Sequence, residues 1–83
     1  MTTSTRKEIR NVRGYIRRIV CVDCNRRVLS RVCRILLREG MDLLEASAVL
    51  DGWNDDCCLP RFSREMLEAE LRIQLMQEGD NNA

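Results

Sequence analysis

The chain has 83 residues, of which 45% are hydrophobic, and a formal net charge of +1. This composition argues against a disordered chain, and no run approaches the roughly 20 apolar residues of a membrane-spanning helix. With one Trp, one Tyr and one Phe, a single chain builds only a small core. We therefore expect a metal, disulfides or a second copy of the chain to add stability.

The first ten residues, MTTSTRKEIR, contain no apolar stretch of the kind that signal peptides have. We therefore expect an intracellular protein of the cytoplasm or nucleus. In those compartments its five cysteines would stay reduced.

The charges are distributed unevenly along the chain. Residues 1–40 contain 11 basic residues against 3 acidic ones, whereas residues 41–83 contain 3 against 10. All but one of the 14 basic residues are arginines, whose planar guanidinium groups suit phosphate binding and base stacking. The asymmetry predicts an anionic partner for the first half.

Two helices are predicted in the first half. The first covers about residues 6–20, after a capping box formed by Thr5 and Glu8. The second covers about residues 26–39 and ends at Gly40. The apolar residues of the first helix recur at steps of 3, 4 and 3, which places them on one helical face: Ile9, Val12, Ile16 and Ile19.

Two further helices are predicted in the second half. The third is short, about residues 43–50, and Gly52 is expected to end it. Residues 51–62 are then a loop. The fourth helix begins at Ser63 and runs to about residue 77. Its apolar residues also recur at steps of 3, 4 and 3: Met66, Ala69, Ile73 and Met76.

These elements predict an all-α fold, a small antiparallel bundle of three to four helices. One domain covers residues 1–78, and residues 79–83 form a frayed acidic tail. The two apolar stripes are either ordinary core positions or coiled-coil seams. Because the core is thin, we expect a homodimer to complete the bundle.

Eight arginines are the candidate nucleic-acid-binding residues. They form two sets with steps of 4, 3 and 4, and each set lies on one face of its helix along about 16 Å. Such rows match successive phosphates and predict backbone binding, with double-stranded RNA as first choice because backbone contacts need no sequence code. Alternatively, the rows are solvated or paired with the acids of the second half. The two rows are Arg6, Arg10, Arg13 and Arg17, followed by Arg27, Arg31, Arg34 and Arg38.

The cysteines are the candidate metal ligands. Cys21 and Cys24 form a C-x-x-C motif, and Cys57 and Cys58 are adjacent. In an antiparallel bundle the two pairs lie at the same end, where four thiolates would bind one structural zinc ion. The alternative is that they are small buried hydrophobic residues, which is also the interpretation of Cys33.

No catalytic motif is present, and the absence of histidine removes the commonest general base. We therefore expect a non-enzymatic nucleic-acid-binding accessory protein; by analogy, such small proteins are common among viral and phage-encoded factors. The alternative function is a protein-interaction module, an inhibitor or adaptor whose partner contacts an apolar anchor in the loop. That anchor would consist of Trp53, Leu59, Pro60 and Phe62, unless these residues pack into the core.

Overall fold

The computed structural model describes residues 12–82, with side chains through residue 77. Helices dominate this part of the chain, as predicted. The elements follow in this order: α1 Val12–Ile16, β1 Cys21–Val22, α2 Arg26–Arg38, α3 Leu43–Cys57, β2 Cys58–Leu59 and α4 Arg64–Asn82.

The two strands correct the expectation that no strand would form. They are only two residues long and pair in parallel, with Cys21 opposite Cys58 and Val22 opposite Leu59. The Asp23 N–H extends the pairing by donating to the Leu59 carbonyl at 3.1 Å. The connection after α1 and the connection after α3 therefore lie side by side.

Helix α1 ends earlier than predicted. Its last described helical residue is Ile16, not Val20. Two tight turns follow, in which the Arg18 N–H donates to the Tyr15 carbonyl and the Ile19 N–H to the Ile16 carbonyl. The Ile19 carbonyl instead accepts a hydrogen bond from the Trp53 indole at 2.9 Å. The predicted capping box and Ile9 lie outside the described residues.

Helix α2 agrees with the prediction at both ends. Asn25 caps it, because its side-chain oxygen accepts the Arg27 N–H at 3.0 Å. Gly40 follows the helix with a φ of +86°, in the left-handed region that glycine adopts without strain. One face of the helix is fully buried in the core: Leu29, Val32, Cys33 and Leu36.

Helix α3 is longer than predicted. It begins after Asp42, whose carboxylate accepts the Glu45 N–H at 2.8 Å as expected for a cap. It then continues through Gly52 to Cys57, so the prediction that Gly52 ends it is wrong. A helical glycine costs only about 1 kcal/mol relative to alanine, and the contacts made by the residues after it outweigh that cost.

Helix α4 begins where the sequence predicts. The Ser63 hydroxyl accepts the Met66 N–H at 3.2 Å and so caps the helix. The helix extends to Asn82, beyond the expected end near residue 77. It packs against both α2 and α3.

The core is formed where the helices meet. Trp53 is its largest fully buried residue, and Phe62 is also buried. The buried aliphatic side chains come from all four helices: Val12, Ile16, Leu29, Val32, Leu36, Ala46, Leu50, Leu67 and Leu71. None of the helices in the described part of the chain combines the length and apolar character needed to cross a membrane.

Candidate nucleic-acid interface and cysteine cluster

The arginine row on α2 faces solvent. Leu29, Val32 and Leu36 turn one side of the helix into the core, and the arginines lie on the opposite side. All four arginines of the row are exposed: Arg27, Arg31, Arg34 and Arg38.

Three arginines of this row have no ion-pair partner within the described part of the chain. Among the described residues, no ion pair within 4.0 Å involves Arg27, Arg31 or Arg34, whereas five other arginines do form such pairs. Because these three positions lie within two turns of one helix, their guanidinium groups form a continuous cationic face. We call Arg27, Arg31 and Arg34 the α2 arginine face.

The described part of the first row, Arg13 in α1 and Arg17 in the turn that follows, is different. Arg13 pairs with Glu45 at 3.4 Å, and Arg17 pairs with Asp56 at 3.5 Å. Both arginines also line an open groove between α1 and α3. The acids of the second half thus pair with this row. Arg6 and Arg10 lie outside the described residues.

The predicted apolar anchor is divided between core and surface. Trp53 and Phe62 are only 2% and 4% exposed. The Asn54 side chain fixes this region by accepting the Phe62 N–H at 2.8 Å and donating to the Phe62 carbonyl at 3.0 Å. Leu59 and Pro60 are exposed. The two aromatic residues therefore pack as core residues, which was the alternative interpretation of this segment.

The two cysteine pairs lie beside each other because of the β1–β2 pairing. Cys21 and Cys58 occupy opposite positions in the two strands, and both are buried. Cys24 and Cys57 are partly exposed. The four residues therefore form one cluster, which we call the cysteine cluster, and Cys33 lies apart from it in the buried face of α2.

The surroundings of Cys58 disfavour its thiolate form. Burial is the largest of the causes that together raise the pKa of Cys58 to about 12; charge on Cys21, a hydrogen bond with Cys21, and charge on Cys57 and Cys24 act in the same direction. Burial, together with the charge on Glu70, raises the pKa of Cys33 to about 12 as well. At neutral pH both groups are therefore protonated thiols.

Three thiols of the cluster are directed at backbone oxygens. The Cys21 Sγ lies 3.6 Å from the Asn25 carbonyl oxygen. The Cys24 Sγ lies 3.9 Å from the Pro60 carbonyl oxygen, and the Cys57 Sγ 3.4 Å from that of Arg17. With these rotamers, the described residues contain no group of three cysteine, aspartate or glutamate side chains arranged to hold a metal ion.

The backbone of the C-x-x-C turn is unusual. Asp23 and Cys24 have φ angles of +56° and +52°, in the left-handed region that residues other than glycine rarely adopt. Asparagine and aspartate tolerate this region, but Cys24 gains no such local compensation. No local sequence pattern indicates this conformation, because neither residue is a glycine.

Comparison with known protein families, curated proteins and solved structures found no match to this chain.

Proposed function

We propose that the protein is a small accessory protein that binds the phosphate backbone of nucleic acid through the α2 arginine face. The observation that supports this most directly is the exposure of Arg27, Arg31 and Arg34 without a carboxylate partner within 4.0 Å among the described residues. Unpaired arginines on a rigid helix can neutralise successive phosphates and release their counterions. Binding, without catalysis, is the proposed activity.

Arg13 and Arg17 are expected to contribute less than the α2 arginine face. Each is already within 3.5 Å of a carboxylate oxygen. Both ion pairs are exposed, so they are weak and a phosphate can compete for the arginine. Nevertheless, the neighbouring carboxylates would repel the same phosphate. In the proposed interface, the first row therefore contributes less to phosphate binding than the row on α2.

We propose a duplex, and double-stranded RNA first, as the partner. Proteins that bind single strands stack successive bases on aromatic side chains. Of the three aromatic residues in the chain, only Tyr15 is exposed, since Trp53 and Phe62 are in the core. Recognition of duplex RNA relies on shape and on phosphate and 2′-hydroxyl contacts, which requires no such stacking platform.

The test is charge reversal on the α2 arginine face. Arg31→Glu combined with Arg34→Glu should weaken binding to a duplex by roughly tenfold or more at low salt, because two phosphate contacts become repulsive. Helicity should not change, since both side chains lie opposite the buried face of α2. Fluorescence anisotropy with duplex RNA, duplex DNA and single-stranded RNA measures the affinity, and circular dichroism measures the helicity.

The matched control is Arg18→Glu combined with Arg72→Glu. These two arginines are also exposed and, among the described residues, have no ion pair within 4.0 Å, so the control changes net charge by the same amount. It should retain most of the affinity. Equal losses in the two variants would show that net charge, and not the α2 arginine face, drives binding. No binding below about 10 µM at about 50 mM salt would contradict the proposed function itself.

The salt dependence of the binding constant measures how many phosphates the protein neutralises. If Arg27, Arg31 and Arg34 each neutralise one phosphate of a duplex, they account for about 2.7 units of the slope of log K against log salt. Replacing one of them with alanine should lower the slope by about one. A slope unchanged by all three single substitutions would place the contacts elsewhere.

We also propose that the protein acts as a homodimer. The stripe on α4 that resembles a coiled-coil seam supports this, because Ile73 and Met76 are 41% and 71% exposed. A dimer would carry two copies of the α2 arginine face and so double the number of available phosphate contacts. Each duplex would then be held at two places, which raises the overall affinity by avidity.

A further inference from the structure

The strands β1 and β2 bring together two pairs of cysteines. The pairs are separated by more than 30 residues in the sequence. We propose that Cys21, Cys24, Cys57 and Cys58 bind one Zn²⁺ ion as a structural four-thiolate site. This site is independent of the α2 arginine face. Each cysteine would lose its proton to solvent and donate one sulfur lone pair to the metal, giving the tetrahedral coordination that structural zinc sites adopt.

The backbone already holds both cysteine pairs next to each other. Cys21 and Cys58 are opposite one another in the parallel pairing, and the Asp23 N–H donates to the Leu59 carbonyl one step further along. The Cys24 Sγ lies within 3.9 Å of the Pro60 carbonyl, so the second cysteine of the C-x-x-C motif is also turned toward the segment that follows Cys58. These contacts supply the main requirement of a four-thiolate site, which is the approach of two distant segments.

Closing the site requires changes in side-chain rotamers. The Cys21, Cys24 and Cys57 thiols now lie against the carbonyls of Asn25, Pro60 and Arg17 at 3.6, 3.9 and 3.4 Å. A thiol is a weak hydrogen-bond donor, so turning these three side chains away from the carbonyls costs little in hydrogen bonding. Cys24 and Cys57 are partly exposed, which leaves them room to rotate. Cys21 and Cys58 are buried and would form the inner side of the site.

The left-handed conformation at Cys24 is consistent with this role. Non-glycine residues in this region cost of order 1 kcal/mol or more each, and such strain persists where the surrounding structure over-determines it. An extended backbone after Val22 would carry Cys24 away from β2. The turn at Asp23 and Cys24 instead keeps the chain beside Leu59 and Pro60.

The experiment is zinc analysis of the full chain together with cobalt substitution. Protein expressed with added zinc and purified without chelator should contain about one zinc per chain. Replacing zinc with Co²⁺ should produce the thiolate-to-cobalt charge-transfer absorption, whose intensity rises with the number of thiolate ligands. Chelation should lower the melting temperature, because the metal stabilises only the folded chain.

Two variants and one control decide the ligands. Cys24→Ser and Cys57→Ser change partly exposed residues, so the chain should still fold; each should reduce the charge-transfer intensity and weaken zinc binding by at least tenfold. Cys33→Ala removes a buried thiol outside the cysteine cluster and should leave both the stoichiometry and the spectrum unchanged.

Either of two results would overturn the proposal. One is a wild-type protein without zinc that shows no charge-transfer band when titrated with Co²⁺. The other is unchanged metal content and spectrum in both serine variants. In either case the four cysteines would be small packing residues, and the β1–β2 pairing would serve the fold alone.

Discussion

Glu70 is the most deeply buried carboxylate among the described side chains, with 5% exposure. The Ser30 hydroxyl donates to its Oε2 at 2.6 Å, and the Gln74 amide donates to the same oxygen at 2.9 Å. The Arg26 guanidinium lies 3.7 Å from the other oxygen. A buried charge with these partners links α2 to α4, and a single substitution can test how much it stabilises the fold.

The pKa of Glu70 makes stability depend on pH. Burial by itself would raise the pKa, but the hydrogen bonds from Ser30 and Gln74 and the charge of Arg26 outweigh it, so the pKa lies below the ordinary value of 4.5. In acid the unfolded chain therefore takes up this proton before the folded one. The contribution of Glu70 is present above about pH 4.5 and is lost as the pH falls through the lowered pKa.

Glu70→Gln should remove this part of the pH dependence. At pH 7 the variant should be less stable by about 1 kcal/mol, because hydrogen bonds to a charged group become hydrogen bonds to a neutral one. The difference should shrink as the solution is acidified below about pH 4. Urea unfolding at a series of pH values measures it. Glu68→Gln, at an exposed position of the same helix, is the control; a constant difference between wild type and Glu70→Gln at all pH values would contradict the prediction.

At the scale of single elements, the starts of α2, α3 and α4 were predictable from the sequence, whereas the ends of α1, α3 and α4 were not. Asn25, Asp42 and Ser63 each cap a helix with a side-chain oxygen, and capping depends on residues within one turn. The extension of α3 past Gly52 depends instead on the distant contacts of Trp53 and Asn54. A local pattern contains no information on contacts of that kind.

The two strands were unpredictable for a related reason. Each contains only two residues, too few to show the alternation by which strands are recognised. They exist because two helix connections approach each other. The sequence did, however, allow the inference that both cysteine pairs would lie close together, since that followed from chain connectivity and not from local pattern.

Gly52→Ala should stabilise the protein. Gly52 lies inside α3, and a Cβ atom there would have no neighbour within 4 Å. Alanine lowers the cost of ordering a helical residue by about 0.5–1 kcal/mol, which corresponds to a rise of several degrees in melting temperature for a domain of this size. Thermal unfolding followed by circular dichroism measures the change.

Gly40→Ala is the matched comparison. It also places a Cβ in open space, but Gly40 has a φ of +86°, so alanine there should be destabilising by about 1 kcal/mol. If Gly52→Ala lowered the melting temperature as Gly40→Ala is expected to, α3 would have to end near Gly52 in solution, as the sequence pattern alone suggests.

At the scale of the whole molecule, the acids of the second half of the chain pair with only one of the two arginine rows among the described residues. The acids of α3 pair with Arg13 in α1 and with Arg17 in the turn after it, whereas Arg31 and Arg34 on α2 have no such pairs among the described residues. The spacing of arginines predicts that they share a face, but which acids oppose them depends on how the helices pack. Sequence reasoning could therefore find the candidate residues but could not rank the two rows.

Helix α4 has two apolar faces, and among the described residues only one of them is buried in the core. Leu67 and Leu71 are buried in the core, whereas Ile73 and Met76 are exposed. The exposed pair belongs to the stripe that resembles a coiled-coil seam. In the proposed homodimer this stripe would be covered by a second copy, which would add the apolar burial that one small chain lacks.

Ile73→Gln combined with Met76→Gln should dissociate the homodimer. Wild-type protein at tens of micromolar should sediment at about twice the chain mass, and its melting temperature should rise with concentration. The variant should sediment as a monomer. Leu43→Gln combined with Leu44→Gln is the control, because these α3 residues are 40% and 83% exposed, close to the values of Ile73 and Met76, yet lie outside the stripe; it should remain dimeric. Monomeric wild-type protein whose melting temperature is independent of concentration would contradict the homodimer, and equal dissociation by both double variants would contradict the assignment of the interface to α4.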